Sequence, residues 1–523
     1  MQVNLTKGVI TVGSWTLLSR ILGMVREILL SSFIGAGPLL DAFVAAFRLP
    51  NIFRRFFAEG AFNAAFVPLF AKKYENKMEP NEFANNVFAN LLTILLILTS
   101  IAMIFMPGLV FLTAAGFAPD ERFDLTVEFG RVMFPYILLI SLAALFSGIL
   151  NTAGRFAVAA AAPVILNIVI VAALLIAWAI NSDIIVWLVW SIPTAGILQL
   201  ILLWLATRRT GIKITLAFPK WNKDIAKLIK IAIPAALAGG VLQINLLVGQ
   251  LVASQETGAI SFLYFADRLY QLPLGIAGIA VGTVLLPKLS RHLKSGDSTK
   301  AQHTYSQSAE MIWFVALPSS FALCLIPLPL VSALFEHGKT TKDDALAISY
   351  ATAIYGIGLP AFMIQKLLQP LYFAREDTKT PLRFALVSMI LNAILAIGLL
   401  QIMGWIAVAI AASVSAWVTT ILLWLRAKQF GQAASALKTS TGRIRRTFFA
   451  SLAMGCILWA INQNLQSTME TSIERVLFAV ALLFIGASIY LIFIYMLRAC
   501  LLYTSDAADE GLGVDLGGRR IIK

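Results

Sequence analysis

Long apolar segments separated by short polar ones run along almost the whole chain. A membrane-spanning helix needs about 20 mostly apolar residues, and fourteen segments satisfy that length. The segments lie at roughly 9–32, 38–70, 85–111, 131–152, 157–180, 185–206, 226–253, 259–289, 305–333, 346–373, 381–402, 405–426, 444–463 and 474–498. The pattern therefore predicts an all-α polytopic membrane protein with about fourteen transmembrane helices.

The polar segments between them differ in charge. Those after even-numbered segments are rich in Lys and Arg, as at 72–77, 208–223 and 426–446. Those after odd-numbered segments are neutral or mixed, as at 118–124 and 336–344. Because Lys and Arg accumulate in cytoplasmic loops, we expect both termini in the cytoplasm of a multi-pass protein.

Two halves of the chain are weakly similar to each other. Aligned at one common offset, two prolines and two asparagines coincide, Pro135 with Pro360 and Asn167 with Asn392. A shorter match occurs earlier in each half at a nearly equal offset. Any two apolar helices look alike, but two matches with nearly equal offsets favour a duplicated six-helix unit. Both units would begin on the cytoplasmic side, which makes them parallel, pseudo-symmetric repeats.

This repeat predicts the domain organisation. We expect an N-terminal six-helix lobe at 1–207 and a C-terminal six-helix lobe at 226–427. A basic, amphipathic linker at 208–225 would join them along the cytoplasmic surface. Helices 13 and 14, at 444–498, fall outside the duplication. The tail at 501–523 is rich in Gly and Asp and is expected to be disordered or non-native.

Composition narrows the class of protein further. Of 523 residues, 59% are hydrophobic and 13% charged, whereas soluble domains carry about 25% charged residues. The net charge of +14 fits topology-setting loops and does not require nucleic acid. The three cysteines are isolated, the histidines lack zinc-site spacing, and no nucleotide-binding loop or Ser/His/Asp set occurs. We therefore expect a transporter and not an enzyme, with no metal and no cofactor.

The first apolar segment carries charges that a bilayer disfavours, since a charge at a membrane helix centre costs about 2.5–3.5 kcal/mol on insertion scales. Because each residue of an α-helix advances by about 100°, five small or polar residues of this segment lie within about 80° of one another around the helix axis. This set is Gly13, Thr16, Arg20, Gly23 and Glu27. Arg26 lies just beyond its edge. Glu27, two turns after Arg20, is expected to hold the Arg20 guanidinium in place.

Further charges lie in the second segment and in the second half. Four residues would share one face of a straight helix, namely Asp41, Arg48, Arg55 and Glu59. Pro50 tends to kink that helix, so the direction of Arg54 depends on the bend. The second half adds Asp267, Arg268 and Lys366.

These charges allow two interpretations. Arg and Lys near helix ends can extend to the headgroups, and for any single residue this structural role is as good as a functional one. For the group, binding is favoured because Arg20 lies in mid-segment and Asp267 and Arg268 lie within the eighth. Arginines outnumber carboxylates, so the expected ligand is an anion such as a phosphate or a carboxylate.

Several of these strings resemble the MurJ (MviN) family of bacterial lipid II flippases. They are GSWTLLSRILGMVRE, LPNIFRRFFAEGAF, YFADRLYQLPLGIAGIAVGTVLLPKLS and YFAREDTKTP, and the resemblance extends to about Leu497. It implies the fold of the multidrug/oligosaccharidyl-lipid/polysaccharide exporter superfamily. In that fold two six-helix lobes surround a V-shaped cavity, and two C-terminal helices form a groove for the polyprenyl tail.

The resemblance also implies roles for individual residues. Substrate-binding positions would be Arg20, Arg26, Arg54, Arg55 and Arg268. Supporting cavity charges would be Glu27, Asp41, Arg48, Glu59, Asp267 and Lys366. Two positions depart from the family pattern, since Glu27 stands where Asp is frequent and Gln271 stands where some members have Glu.

The implied function is to flip lipid II from the cytoplasmic to the periplasmic leaflet by alternating access in the bacterial inner membrane. Expected partners are lipid II, membrane lipids and the cell-wall synthesis machinery, with no nucleic acid. Coupling to the membrane potential or to a monovalent cation stays open. The alternatives are a flippase or exporter of another polyprenyl-diphosphate glycan, or a drug/ion antiporter of the same superfamily.

Overall fold

The computed structural model describes residues 5–54, 61–76, 78–215, 217–281, 285–295, 297–430, 441–465, 469 and 471–499. Within these ranges the regular structure is helical, without a β-strand. The first ten helices are α1 Leu5–Phe33, α2 Pro38–Arg54, α3 Ala61–Glu75, α4 Pro80–Ile104, α5 Met106–Thr113, α6 Arg122–Met133, α7 Tyr136–Thr152, α8 Phe156–Ala179, α9 Ile184–Arg208 and α10 Lys223–Ala253. The others are α11 Ala259–Ala280, α12 Leu286–Lys294, α13 Ser298–Leu325, α14 Pro327–Phe335, α15 Lys342–Phe373, α16 Lys379–Met403, α17 Ala407–Ala427, α18 Thr441–Leu465 and α19 Ser472–Met496.

The apolar segments of the sequence correspond to these helices, so the all-α membrane fold is confirmed. In the described part of the chain, nine helical stretches are long and apolar enough to cross a membrane. The number fourteen stays a prediction. Local sequence fixes several helix starts. The Asp183 side chain accepts a hydrogen bond from the Ile185 N–H at 3.1 Å, and Thr471 and Glu474 form a capping box at α19.

Prolines divide some of the predicted segments. The predicted segment at 85–111 contains α4 and α5, and Pro107 lies in the first turn of α5. The segment at 305–333 likewise overlaps both α13 and α14, with Pro327 as the first residue of α14. Proline lacks a backbone N–H, so it begins a helix more easily than it continues one. Pro50 instead lies inside α2, which continues to Arg54.

Contacts divide the chain into two compact units. Among the described residues, the first unit lies within 5–269, 331–351 and 385–415, and the second lies within 270–330, 352–384 and 416–499. In the first unit α1 packs on α8, α8 on α9, α2 on α6 and α3 on α10. In the second unit α13 packs on α18, and α18 on α19. The division into two six-helix lobes with a linker stays a prediction.

Within the first unit, the two asparagines matched by the internal repeat make matching contacts. Asn167 on α8 donates its Nδ2 to the Ser19 carbonyl on α1 at 2.9 Å. Asn392 on α16 donates to the Asn245 side chain on α10 at 2.7 Å. Each asparagine therefore binds the first helix of its own predicted repeat, which is what a duplicated unit would produce.

Candidate anion-binding site

A carboxylate from α1 lies at the centre of a charged cluster in the first unit. Glu27 is 1% exposed, and its Oε1 accepts a hydrogen bond from the guanidinium of Arg26. The same oxygen lies 3.3 Å from Nε of Arg268 on α11 and accepts a hydrogen bond from the Tyr264 hydroxyl at 2.9 Å. We call Arg26, Glu27, Tyr264 and Arg268 the guanidinium cluster.

Tyr264 fixes the second arginine of the cluster as well as the carboxylate. It lies one helical turn before Arg268 on α11, where side chains at i and i+4 meet. The Arg268 guanidinium lies 4.5 Å from the centroid of the Tyr264 ring, within the range of a cation–π interaction. One aromatic residue therefore orients both charges.

Asn167 on α8 holds the first arginine from the other side. Arg26 Nη1 donates to Asn167 Oδ1 at 2.9 Å, and the amide nitrogen of Asn167 is bound to Ser19. Because the amide nitrogen is bound to Ser19, the orientation of the Asn167 side chain is fixed and its oxygen faces Arg26. Arg26 is thereby aimed by two helices, α1 and α8.

The two guanidiniums of the cluster keep unused hydrogen-bond donors. Two guanidiniums share the Glu27 carboxylate, and the carboxylate of Asp267, the residue before Arg268, also interacts electrostatically with Arg268. Among the described residues, Nε of Arg26 and Nε of Arg268 have no hydrogen-bond acceptor. The Arg268 Nε is within ion-pair distance of Glu27 but not in hydrogen-bond geometry. The side chains of Arg26 and Arg268 are 13% and 29% exposed, so an anion can reach them.

The remaining predicted site residues are more scattered. Arg20 is exposed on α1, seven residues before Glu27. Arg48 Nη1 donates to the Leu246 carbonyl of α10 at 3.5 Å, and Arg54 Nε donates to Asn51 at 3.1 Å. Asp267 is half-buried beside Arg268.

Three predicted residues cannot be related to the cluster. Lys366 is exposed on α15 in the second unit. Arg55 and Glu59 lie outside the described residues, so the predicted shared face of 41–59 is described only as far as Arg54.

Two expected pairings differ from the structure. Glu27 contacts Arg26, Arg268 and Tyr264, and in the described part of the chain no contact joins it to Arg20. The idealised helix placed Arg20 and Glu27 on one stripe, but the carboxylate turns toward α11, which supplies a second guanidinium and a hydroxyl. The other difference concerns Asp41, which was expected to be a supporting charge of the cavity.

Asp41 is fully buried and binds the N-terminus of α11. Its carboxylate accepts from the Gly258 N–H at 2.6 Å and from the Ser261 N–H and hydroxyl at 2.8 and 2.6 Å. Free N–H groups at a helix start attract a carboxylate. The arginine near Asp41 is Arg122, whose Nη1 lies 3.5 Å from Oδ2. Asp41 therefore joins α2 to α6 and α11.

Other loops that follow odd-numbered segments form hydrogen bonds at the same ends of the helices as Asp41. Arg122 also donates to the Glu256 carbonyl at 3.1 Å, and the Glu256 side chain accepts from the Trp405 N–H at 2.7 Å. Ser31 at the end of α1 bonds the Thr340 hydroxyl at 2.9 Å. We call these contacts, with those of Asp41, the outer-end network.

Gly338 shows how closely the loops approach in this network. It has φ +58°, and an added Cβ would lie 2.1 Å from the Ser32 carbonyl oxygen. Only glycine combines this backbone conformation with such a close approach. The ends of α1 and α15 are therefore held together through backbone as well as side chains.

Tyr264, Asn167 and Arg122 were not predicted as site residues. Two signals pointed to them, since Tyr264 lies one turn from Arg268 and Asn167 is one of the residues matched by the internal repeat. Arg122 gave no signal, because it stands in a loop of mixed charge.

Comparisons with known proteins agree with this architecture. The family model described as lipid II flippase MurJ matches residues 30–502. A Rhizobium tropici protein named "Probable lipid II flippase MurJ" is 45% identical over 430 residues, which cover 81% of each chain.

Two solved structures are also similar to this chain. "Lipid II flippase MurJ, inward closed conformation" matches with a TM-score of 0.78 at 27% identity, over 94% of this chain and 99% of the other. An inward-facing multidrug resistance transporter of the MATE family and MOP superfamily matches with a TM-score of 0.66 at 17% identity, over 81% of this chain and 96% of the other. The second match bears on the fold alone. The chain belongs to the lipid II flippase MurJ family.

Proposed function

We propose that this protein flips lipid II across the bacterial inner membrane, from the cytoplasmic to the periplasmic leaflet, by alternating access. The observation that carries the proposal is the guanidinium cluster, in which two half-buried arginines share the Glu27 carboxylate and keep unused N–H donors. Such a cluster favours an anionic ligand with several oxygens, and a diphosphate has that chemistry. Family membership supplies the identity of the lipid.

In the empty protein, Glu27 acts as the internal counter-charge. It keeps the two guanidiniums close together despite their mutual repulsion, and Tyr264 and Asn167 set their directions. A diphosphate entering the site would accept hydrogen bonds from the unused donors. We infer that Arg26 and Arg268 bind the diphosphate directly. Arg20, Arg54 and Arg55 would contact it or the sugars at other stages of transport.

Release to the other leaflet requires the outer-end network to break. By the positive-inside rule its loops face the periplasm, so its contacts hold that side together. Contacts from Asp41 to α11 and from Ser31 to Thr340 would then be lost in the opposite state. Two-state transporters commonly alternate by such rearrangement of packed helices.

The energy for the cycle can come from the membrane potential. Moving negative charge outward in an inside-negative membrane yields about 2.3 kcal/mol per charge per 100 mV. A monovalent cation is the alternative source. The lipid tail would remain in the bilayer along α18 and α19, and cell-wall synthesis enzymes would take the flipped product.

Complementation of a bacterial strain depleted of its own lipid II flippase tests the proposal, with lipid II accessibility at the outer face as the readout. We expect the wild-type chain to restore growth and accessibility. We expect Arg26→Ala and Arg268→Ala to accumulate in the membrane and restore neither. Arg→Lys should also fail at these positions, because Lys cannot form the bidentate contact.

The same experiment separates the alternatives. Rescue by both alanine variants would contradict the diphosphate site. A wild-type chain that accumulates but restores no accessibility would favour another polyprenyl-diphosphate glycan as cargo. A drug cation is disfavoured because two arginines with unused donors converge on the cluster.

A further inference from the structure

The segment that joins α9 to α10 presents aromatic and basic side chains outward. Phe218 is 91% and Trp221 70% exposed, although burying such rings is strongly favourable. Exposed lysines lie beside them at Lys213, Lys220 and Lys223. We call these five residues the linker surface.

Three asparagines of α4 fix the backbone of this segment. The side-chain oxygens of Asn85 and Asn86 accept from the N–H groups of Thr215 and Lys220, at 2.8 and 3.0 Å. Asn90 donates to the Lys220 carbonyl at 3.2 Å. Backbone polar groups outside a helix need such partners. The outward side chains therefore project from a backbone with a set conformation.

Apolar residues anchor the segment on both sides. Ile212 and Ile225 are 4% and 1% exposed and belong to the core formed with α3 and α4. Lys213 follows Ile212 and points outward. The only carboxylate between 209 and 230 is Asp224, and it pairs with Lys73 of α3 at 2.9 Å. In the described part of the chain no carboxylate forms an ion pair with its three lysines, so the linker surface is positively charged.

We propose that the linker surface binds the anionic phospholipid headgroups of the bilayer in which the protein lies. Phe218 and Trp221 would enter the interfacial layer, where aromatic residues are favoured. The lysines would bind lipid phosphates, since polybasic segments next to a membrane are attracted to anionic lipids.

The position of the segment favours a bilayer over a soluble partner. It begins at Arg208, the last residue of the membrane-length helix α9, so it starts at the level of the headgroups. The Arg208 guanidinium there lies 4.5 Å from the Trp204 ring centroid. Binding of the linker surface to lipid headgroups would hold α4 and the start of α10 at one leaflet. This binding does not depend on which lipid the protein transports.

A fluorescent label that reports polarity tests the proposal. Ala217→Cys is labelled with a nitrobenzoxadiazole dye in a chain in which the three native cysteines are replaced by alanine. The protein is placed in lipid nanodiscs that contain either phosphatidylcholine alone or phosphatidylcholine with phosphatidylglycerol. We expect blue-shifted emission, and quenching by lipids with a nitroxide near the headgroup, in the phosphatidylglycerol discs.

Charge neutralisation provides the second arm. Changing Lys213, Lys220 and Lys223 to Gln should weaken the bound state by about fivefold per lysine and so abolish most of the quenching. Lys342, an exposed lysine at the start of α15, provides the matched control, and Lys342→Gln should leave the quenching unchanged. A label that remains in water in phosphatidylglycerol discs would overturn the proposal. Equal quenching in both disc types and in the triple variant would overturn the proposal that the lysines bind anionic lipids. It would show that the segment is held at the bilayer only by insertion of its aromatic side chains.

Discussion

Replacing Glu27 with Gln removes the carboxylate that the described structure places between the half-buried guanidiniums of Arg26 and Arg268. The substitution keeps the size of the side chain, so packing between α1 and α11 is preserved. It deletes the negative charge that lies 3.3 Å from Arg268 Nε and that contacts Arg26. The empty protein should therefore lose stability, whereas a protein holding an anion should lose much less.

The size of the effect follows from the geometry. Two unit charges separated by 3.3 Å attract by about 5 kcal/mol at an effective dielectric constant of about 20. Arg268 is 29% exposed, which lets solvent screen part of this energy. Breaking a buried pair by removing one partner costs about 3–5 kcal/mol. We therefore expect Glu27→Gln to lower the free energy of unfolding of the empty protein by about 3 kcal/mol.

The assay is thermal unfolding of the purified protein with and without a short-chain prenyl diphosphate. Glu27→Gln should unfold at a lower temperature without ligand and gain more than the wild type when ligand is added, because the diphosphate replaces the missing charge. Glu27→Asp keeps the charge and should lie between the two. The reasoning is refuted if Glu27→Gln matches the wild type without ligand, or if the ligand stabilises both equally.

A matched control variant comes from the second unit. Glu310 on α13 accepts from Arg443 on α18 at 2.8 Å, with side-chain exposures of 10% and 39%. Glu310→Gln also removes a carboxylate from a partly buried ion pair. It should lower the unfolding temperature while leaving the response to the diphosphate as in the wild type.

Three further outcomes follow from other contacts. Asn167→Ala removes one charge-assisted hydrogen bond, so affinity for a diphosphate should fall by about 1.5–3 kcal/mol, whereas Asn392→Ala, its repeat counterpart, should leave that affinity unchanged. Asp41→Asn weakens the cap on α11, and cysteine-labelling rates at the outer-end network should rise as the population shifts toward the opposite state. The hydrogen bond from Arg122 holds the pKa of Asp120 below its ordinary value. Its contribution to stability is present above the ordinary carboxyl pKa and is lost as the pH falls through the lowered pKa, so acid melting series should show a weaker pH dependence for Asp120→Asn.

The helices were predictable because the bilayer requires long apolar segments, and these are visible in any single sequence. The positions at which helices end were harder to predict, because Pro107 and Pro327 lie in the first turn of new helices whereas Pro50 lies inside one. Proline removes the same hydrogen bond in each case, and packing decides whether the helix resumes.

The site was only partly predictable for a related reason. Arg26, Glu27 and Arg268 stood out because charges are rare in apolar segments. Their pairing depends on how α1 and α11 pack, and those helices are far apart in sequence. Idealised geometry therefore assigned Glu27 to Arg20, on the same helix. Tyr264 was missed because a tyrosine in an apolar segment is unremarkable until its hydroxyl is seen to bind Glu27.

Direct binding of a lipid II analogue to the purified protein in nanodiscs tests the central claim, which is that Arg26 and Arg268 bind a diphosphate. The wild type should bind a diphosphate-bearing analogue and not the same lipid with a neutral headgroup. Arg268→Ala should bind it about 10–150-fold more weakly, as expected for losing a charge-assisted contact worth about 1.5–3 kcal/mol. Equal affinity of the wild type and Arg268→Ala, or equal affinity for the charged and neutral lipids, would contradict the account.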